Sequence, residues 1–200
     1  MIGILGGTFD PPHLGHVGLA RAGIDHFALE RLLVAPTGRT PGKAPASDPE
    51  TRLALAEAAF ADVPGAEVSR IDVDREQPAY SYETVRWVHD RYGEPVFLVG
   101  ADRFADFLEW ERPNDVLRFA RLGVATRPGF DVATLEPVLA AVEQPYRVEF
   151  FEIPPIAASS TEVRRRVAAG EPIDDLVPAG VERLIHDLGL YRDERPAAVR

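Results

Sequence analysis

The sequence predicts an α/β protein: a Rossmann-like, doubly wound parallel sheet with helices on both faces and a small helical portion near the C-terminus. Short apolar runs alternate with helical patterns along nearly the whole chain, and this alternation is typical of a parallel sheet. Glycine-rich and polar stretches come directly after the apolar runs. In parallel sheets, ligands bind beyond the carboxyl ends of the strands, so these stretches predict one ligand-binding edge.

The first third of the chain supplies two strands and a helix. Residues 1–5 form a continuous apolar run, as expected of a strand that is covered on both faces. Residues 14–27 follow with a helical pattern, and residues 32–35 are a second apolar run. Residues 37–47 are rich in Gly, Pro and Thr without periodicity, which indicates a surface loop.

The next predicted helix has a clear start signal. Asp48 can cap its N-terminus and Pro49 suits the first helical position, and the helix continues to about residue 60. A third strand is predicted over residues 68–73. Asp72 and Asp74 alternate there, and we expect both to be solvated rather than to form an acid–base pair.

The remaining elements follow from the same signals. Ser159 begins an S-x-x-E pattern that is typical of a capping box. The predicted elements are a helix over residues 81–92, strands over 96–99, 122–126 and 147–153, a helix ending before Gly170, and a last helix over 181–188. We therefore expect a single domain over residues 1–192 and a frayed tail over 193–200.

Composition restricts the function. The chain has 200 residues, 46% hydrophobic residues and no cysteine, which predicts a real core without disulfides or thiolate metal sites. The net charge of −10 disfavours general binding to nucleic acids or anionic membranes. Neither a signal peptide nor a transmembrane run is recognisable, so we expect a cytoplasmic protein. The sequence is compatible with a homo-oligomer.

Lys43 is the single lysine among 22 basic residues. A compact ammonium group and a planar guanidinium are not interchangeable. Lys43 is therefore a candidate for a role that arginine cannot fill, and the alternative is an accidental surface lysine.

The loop after the first strand carries two histidines. Residues 6–16, here called the histidine turn, read G-G-T-F-D-P-P-H-L-G-H. The glycines let the backbone approach a ligand closely, and a helix N-terminus offers N–H groups to an anion. His13 and His16 are three residues apart, hence on one helix face, where they could stabilise charge on phosphate oxygens.

Other nucleotide motifs fit less well. The histidine turn lacks the G-x-G-x-x-G dinucleotide fingerprint, and residues 38–44 lack the glycine spacing and the Ser/Thr of a P-loop. H-x-x-H could be half of a metal site, but His26, His89 and His186 lie in separate predicted helices without ligand spacing.

Two motifs together point to a family. G-T-F-D-P-P-H-L-G-H over residues 7–16 resembles the G-x-F-D-P-x-H-x-G-H signature of the nucleotidyltransferase superfamily. A-S-S-T-E-V-R over residues 158–164 resembles its second signature, I-S-S-T-x-[IV]-R, with Ala158 in place of Ile. Over almost its whole length the chain is similar to bacterial nicotinate-nucleotide adenylyltransferases.

The resemblance implies transfer of the adenylyl group of ATP to nicotinic acid mononucleotide, giving deamido-NAD and pyrophosphate. Alternatives are the same transfer to nicotinamide mononucleotide or phosphopantetheine, or a non-catalytic dinucleotide-binding protein. Mg²⁺ is expected to arrive on the ATP phosphates, without direct protein ligands.

The resemblance also assigns residues to roles. The expected catalytic residues are His13, His16, Lys43 and Arg164. ATP binding is expected from Gly7, Thr8, Phe9, His13, His16, Gly100, Asp102, Ser160, Thr161 and Arg164. Acceptor binding is expected from Thr8, Lys43, Thr84, Trp110 and Arg127. For Trp110 the alternative is a core aromatic, and for residues 159–162 it is a helix cap alone.

Overall fold

The computed structural model describes residues 1–39 and 44–192. Its sheet has six strands in the order β3-β2-β1-β4-β5-β6, and every neighbouring pair is parallel. The strands are β1 (Ile2–Gly7), β2 (Arg31–Pro36), β3 (Ala66–Val68), β4 (Val96–Gly100), β5 (Arg121–Thr126) and β6 (Val148–Glu152). The strand order reverses direction between β1 and β4, which is where doubly wound sheets bind ligands.

Eight α-helices lie within the described residues. They are α1 (Leu14–His26), α2 (Pro49–Phe60), α3 (Ser81–Tyr92), α4 (Ala101–Ala105), α5 (Pro113–Phe119), α6 (Glu136–Ala141), α7 (Ser160–Ala169) and α8 (Ala179–Asp187). α1, α2, α7 and α8 contribute to one apolar layer, here the first layer. α3, α4, α5 and α6 contribute to the second layer. Helices thus cover both faces of the sheet, which confirms the predicted fold class.

Alternation along the central strands explains why they are apolar throughout. In β4, Val96 and Leu98 face the first layer, whereas Phe97 and Val99 face the second. Successive side chains of a strand point to opposite faces, so a strand covered on both sides needs apolar residues at every position.

The third strand differs from the prediction. β3 ends at Val68, and residues 71–74 form a turn in which the Asp74 amide donates to the Arg70 carbonyl. Asp72, expected to be solvated on a strand, is buried, so that prediction is wrong. Asp74 is exposed as expected. The alternation of acidic and apolar residues is typical of a half-buried strand, but residues 71–74 form a turn in which Asp72 is buried.

Three short helices between β4 and β6 are absent from the sequence prediction. α4, α5 and α6 have five, seven and six residues, too short for helical periodicity to be readable. Burial of Phe104, Val116 and Val138 in the second layer explains their stability.

The C-terminal helical portion is present as predicted. α8 packs its buried Val181 and Ile185 into the first layer. The single domain over residues 1–192 stays a prediction, and the tail over 193–200 lies outside the described residues. Among the described residues, no helix combines the length and apolar character that crossing a membrane requires.

Candidate active site

A cleft of about 830 Å³ opens at the carboxyl edge of the sheet, across the junction of β1 and β4. Its walls come from the histidine turn after β1, from Gly100 to Arg103 after β4, from Arg127 and Phe130 after β5, and from Ser159 and Ser160 at the start of α7. The stretches after β1, β4 and β5 and the start of α7 therefore line one cleft at one edge of the sheet.

His13 and His16 form a close pair in the cleft wall. Their ring centroids are 3.8 Å apart and the rings are tilted by 33°. The backbone N–H of His13 donates to Nδ1 of His16 at 3.2 Å. A neutral His16 with an accepting Nδ1 carries its proton on Nε2. The structure thus fixes His16 as a donor through Nε2.

Both imidazoles are neutral in the free protein at pH 7. Burial, with a contribution from the Arg127 charge, lowers the pKa of His13 to about 4. Burial lowers the pKa of His16 well below 6.5, and His13 adds to this effect. The pair therefore offers N–H donors to a ligand rather than preformed positive charges, and an arriving anion would raise both pKa values.

The start of α1 offers fewer free amides than the sequence suggested. The His13 amide is bonded to the His16 side chain. The Leu14 amide donates to the Leu176 carbonyl at 2.8 Å, and the His16 amide donates to the His13 carbonyl at 2.9 Å. Because these donors are already used, the groups at this helix start that remain for a ligand are mainly the imidazoles.

The two sequence motifs are in direct contact. The Ser160 hydroxyl donates to the Pro11 carbonyl at 2.8 Å, and Nη1 of Arg164 donates to the Asp10 carbonyl at 2.8 Å. Ser159 caps α7 by accepting from the Glu162 amide. Capping therefore coexists with a second task, in which Ser160 and Arg164 of α7 hold the histidine turn by hydrogen bonds.

Phe9 packs against the His16 ring of the imidazole pair. Its side chain is fully buried, and its ring meets the His16 ring edge-on with centroids 5.0 Å apart. Gly7 and Thr8 also line the cleft. A side chain at Gly7 would approach the Phe9 ring to 3.0 Å, so glycine permits this close packing.

Three of the residues expected at the acceptor also line the cleft. Thr84, Trp110 and Arg127 all line the cleft. Trp110 packs edge-on against Phe107 with ring centroids 5.2 Å apart. Its buried Nε1 has no hydrogen-bond partner among residues 1–39 and 44–192. Trp110 thus packs against the second apolar layer and lines the cleft at the same time.

Asp72 is a cleft residue that sequence reasoning misplaced. Asp72 is 5% exposed, and its carboxylate accepts from the Thr84 hydroxyl at 2.8 and 3.0 Å. Burial raises its pKa to about 6, against the opposing effects of Thr84 and Arg75. One carboxylate in a segment with a strand-like pattern gives no signal of burial, so the sequence could not have revealed this position.

The other expected residues are placed as follows. Gly100 and Asp102 line the cleft at the end of β4 and the start of α4. Thr161 is exposed in the first turn of α7. Thr161 and Arg164 are not among the described residues that line the cleft. Lys43 lies outside the described residues.

The cleft is lined by hydrogen-bond donors and by the carboxylates of Asp72, Asp102, Glu109 and Glu111. No cluster of three His, Asp or Glu side chains with metal-binding geometry occurs in the part of the chain that the structure describes. Imidazoles, hydroxyls and Arg127 are donors, which recognise phosphate oxygens. A divalent cation that arrives already bound to a triphosphate is compatible with this set.

Comparisons with known proteins point to one family. The family described as cytidylyltransferase-like matches residues 4–166. A protein from Moorella thermoacetica is 41% identical over 96% of this chain and 91% of its own length. A protein from a Roseiflexus species is 42% identical over 96% of this chain and 98% of its own length. Each is named "Probable nicotinate-nucleotide adenylyltransferase".

The chain belongs to the nicotinate-nucleotide adenylyltransferase family. A solved structure of the nicotinic acid mononucleotide adenylyltransferase of Plasmodium falciparum, complexed with NaAD, has the same fold at 16% identity. Its TM-score is 0.79, and the match covers 96% of this chain and 98% of that one. The family membership confirms the resemblance inferred from the two motifs.

Proposed function

We propose that the chain joins nicotinic acid mononucleotide to the adenylyl group of ATP, releasing pyrophosphate and forming deamido-NAD. Relatives named "Probable nicotinate-nucleotide adenylyltransferase" match almost the whole chain. The observation that carries the proposal is the convergence of both family motifs on the imidazole pair at the cleft, through the contacts of Ser160 and Arg164 with the histidine turn.

In the proposed reaction an oxygen of the acceptor's 5′-phosphate attacks the α-phosphorus of ATP. The new P–O bond forms as the bond between the α-phosphorus and the bridging oxygen to the β-phosphate breaks, and the electron pair leaves with pyrophosphate. The second pKa of a phosphomonoester is about 6, so the nucleophile is largely ionised at neutral pH. The site needs to align the substrates and stabilise charge rather than remove a proton.

The imidazole pair would meet the charge that develops on the phosphates. His16 would donate through Nε2, the nitrogen left with the proton by the bond at Nδ1. His13 would donate beside it, since its ring is packed against that of His16. Donors held in place before the reaction need no reorganisation during it, which is the basis of such electrostatic stabilisation.

The other ATP contacts in the proposal come from the two motifs and from the end of β4, and Thr161 and Arg164 among them lie outside the lining of the cleft. Ser160, Thr161 and Arg164 would hold the departing phosphates, and Lys43 would act with them. Gly7, Thr8 and Phe9 would approach the phosphates, while Gly100 and Asp102 would lie against the adenosine. Mg²⁺ bound to ATP would supply further positive charge to the triphosphate.

Thr8, Lys43, Thr84, Trp110 and Arg127 are the proposed acceptor contacts. Trp110 would stack on the nicotinate ring, since it lines the cleft and aromatic pairs favour offset or edge arrangements. Arg127 would attract the acceptor's negative charge, and its charge already acts on His13.

We propose that the chain acts in the cytoplasm. Cell fractionation with a tagged chain tests this location.

The direct test is release of pyrophosphate from MgATP with a panel of acceptors. We expect the highest kcat/KM with nicotinic acid mononucleotide, compared with nicotinamide mononucleotide and phosphopantetheine. A higher kcat/KM with either competitor would correct the acceptor. No pyrophosphate with any of them, from a folded protein that binds ATP, would refute the transferase and favour a binding protein.

A histidine substitution tests the proposed electrostatic role. We expect His16→Ala to lower kcat by about 10²-fold or more, the scale of losing one transition-state donor. The matched control is His186→Ala, whose side chain is 81% exposed on α8 and which should leave kcat unchanged. Near-normal turnover of folded His16→Ala would remove this role.

Tryptophan fluorescence tests the acceptor wall. We expect nicotinic acid mononucleotide to quench the wild-type emission, and Trp110→Leu to lose this quenching and raise the KM of the acceptor by about 3- to 10-fold, as expected for an aromatic pair. Trp87→Leu is the control, because Trp87 lies on α3 and is not among the described cleft residues. Quenching that disappears with Trp87 instead would contradict the assignment.

A further inference from the structure

A buried polar cluster links the histidine turn to residues 46–52 and to Tyr191. At its centre is Asp10, only 5% exposed. Oδ1 of Asp10 accepts from the Tyr191 hydroxyl at 2.7 Å. Oδ2 accepts from the amides of Ala46 and Ser47 at 2.6 and 3.2 Å. Three donors from two distant segments of the chain thus converge on one carboxylate.

The Tyr191 hydroxyl is fully used in this cluster. It donates to Asp10 and accepts from the Ser47 hydroxyl at 3.1 Å. Burial raises the pKa of Tyr191, so the phenol keeps its proton for this bond. Its backbone has φ +60°, a left-handed conformation that costs energy for a residue other than glycine. The surrounding contacts must stabilise this conformation.

Arg52 fills the other side of the cluster. It is 1% exposed on α2, and its guanidinium donates only to carbonyl groups in the bonds that the structure shows. The acceptors are the carbonyls of Ser47 at 3.2 Å, Thr8 at 3.0 Å, Gly38 at 2.6 Å and Thr37. Burying a charge is costly, so an apolar side chain would be expected here if the position served only for packing.

These bonds lead directly to the imidazole pair. Thr8 is bonded to Arg52, and Asp10 is bonded to Tyr191. Between them, Phe9 has φ +51° and packs its ring against His16. The residue that supports His16 therefore sits in a strained backbone position that is fixed on both sides by the cluster.

We propose that Tyr191 is a positioning residue for adenylyl transfer, acting through the Asp10 carboxylate to fix the turn that carries His13 and His16. The inference rests on the proposed function. Tyr191 follows the last helix and is 181 residues from Asp10. Tyr191, near the end of the described chain, therefore supports the reaction centre although it does not line the cleft.

Tyr191→Phe removes only the hydroxyl and keeps the ring in the first apolar layer. We expect kcat to fall about 10-fold, because small misplacements of reacting groups are costly, and the KM values of ATP and acceptor to change less than about threefold. Tyr146→Phe is the matched control, since Tyr146 is 81% exposed. Assays run well below the measured Tm ensure that all molecules are folded.

A double-variant cycle separates positioning from general stabilisation. If Tyr191 acts through Asp10, then Asp10→Asn with Tyr191→Phe should be no slower than Asp10→Asn alone. Unchanged kcat in Tyr191→Phe would overturn the inference, even if its Tm falls. Independent, multiplying losses in the double variant would also overturn it.

Hydrogen exchange gives a readout that needs no acceptor. In Tyr191→Phe we expect faster exchange of the Ala46 and Ser47 amides and of the amides of residues 8–10 and 13, compared with wild type and Tyr146→Phe. Unchanged exchange would contradict the inference by itself. Wild-type protein that releases no pyrophosphate would refute the proposed function instead, so the two failures are distinguishable.

Discussion

At the scale of single residues, Gly15 limits the position of the imidazole pair. A Cβ atom there would lie 2.9 Å from Nδ1 and 3.0 Å from Cε1 of His13. Such distances force the His13 ring to move away, and it is packed against His16. The glycine between the two histidines is therefore required by packing of the His13 ring rather than by an unusual backbone angle.

We expect Gly15→Ala to lower kcat by about 10²-fold, the scale of a displacement near 1 Å at the reacting groups. Alanine is the better helix former by about 0.5–1 kcal/mol, so the Tm should not fall markedly. Pyrophosphate release and a thermal melt check both statements. Full activity in the alanine variant would show that the His13 ring tolerates the shift.

The sequence could predict the common face of the two histidines but not their chemistry. Spacing at a helix start placed His13 and His16 together, as the structure shows. Their neutrality and the bond at Nδ1 of His16 depend on burial and on a backbone amide, which are properties of the folded chain. The same holds for Asp10, whose partner Tyr191 is remote in sequence.

At the scale of elements, Asp72 connects the turn after β3 to the start of α3. The bond from Thr84 ties the two segments together at the cleft. A carboxyl group whose pKa is raised from 3.8 to about 6 retains its proton in the folded state while the unfolded chain has lost it. The stability that it contributes is therefore present below pH 4 and lost as the pH rises through 6.

We expect the free energy of unfolding of wild type to lose on the order of 3 kcal/mol from this group between pH 4 and pH 7, at 1.36 kcal/mol per pKa unit. Asp72→Asn carries no such ionisation, so its stability relative to wild type should increase over that range. Urea unfolding at several pH values measures the difference. The control is Asp74→Asn, at an exposed position in the same turn. A difference for Asp72→Asn that is independent of pH would contradict the burial effect.

The strands and helices differed in how well the sequence predicted them. β1 and β4 were recognisable because strands buried on both faces are apolar at every position. β3 was misplaced because the residues around Asp72 alternate as they would in a strand. In the structure the Asp72 carboxylate is buried and accepts from the Thr84 hydroxyl. The short helix α4 depends on tertiary burial of Phe104, for which local sequence carries little signal.

At the scale of the whole molecule, the sheet order places the site. β1 and β4 are neighbours although three helices and two strands separate them in sequence. Their connections leave in opposite directions, so a cleft opens between the histidine turn and α4. A net charge of −10 would repel a triphosphate from most of the surface, so attraction must come from the local donors of the cleft.

One sheet running between both apolar layers predicts one cooperative unfolding transition for residues 1–192. Trp87 and Trp110 pack against the second layer, so their fluorescence reports that layer, whereas far-UV circular dichroism reports helices on both faces. We expect both signals to give the same urea midpoint. ATP at about 100 times its Kd should raise the free energy of unfolding by about 2.7 kcal/mol and move both midpoints together. Separate midpoints, or an ATP shift in only one signal, would show that the two faces unfold as separate units.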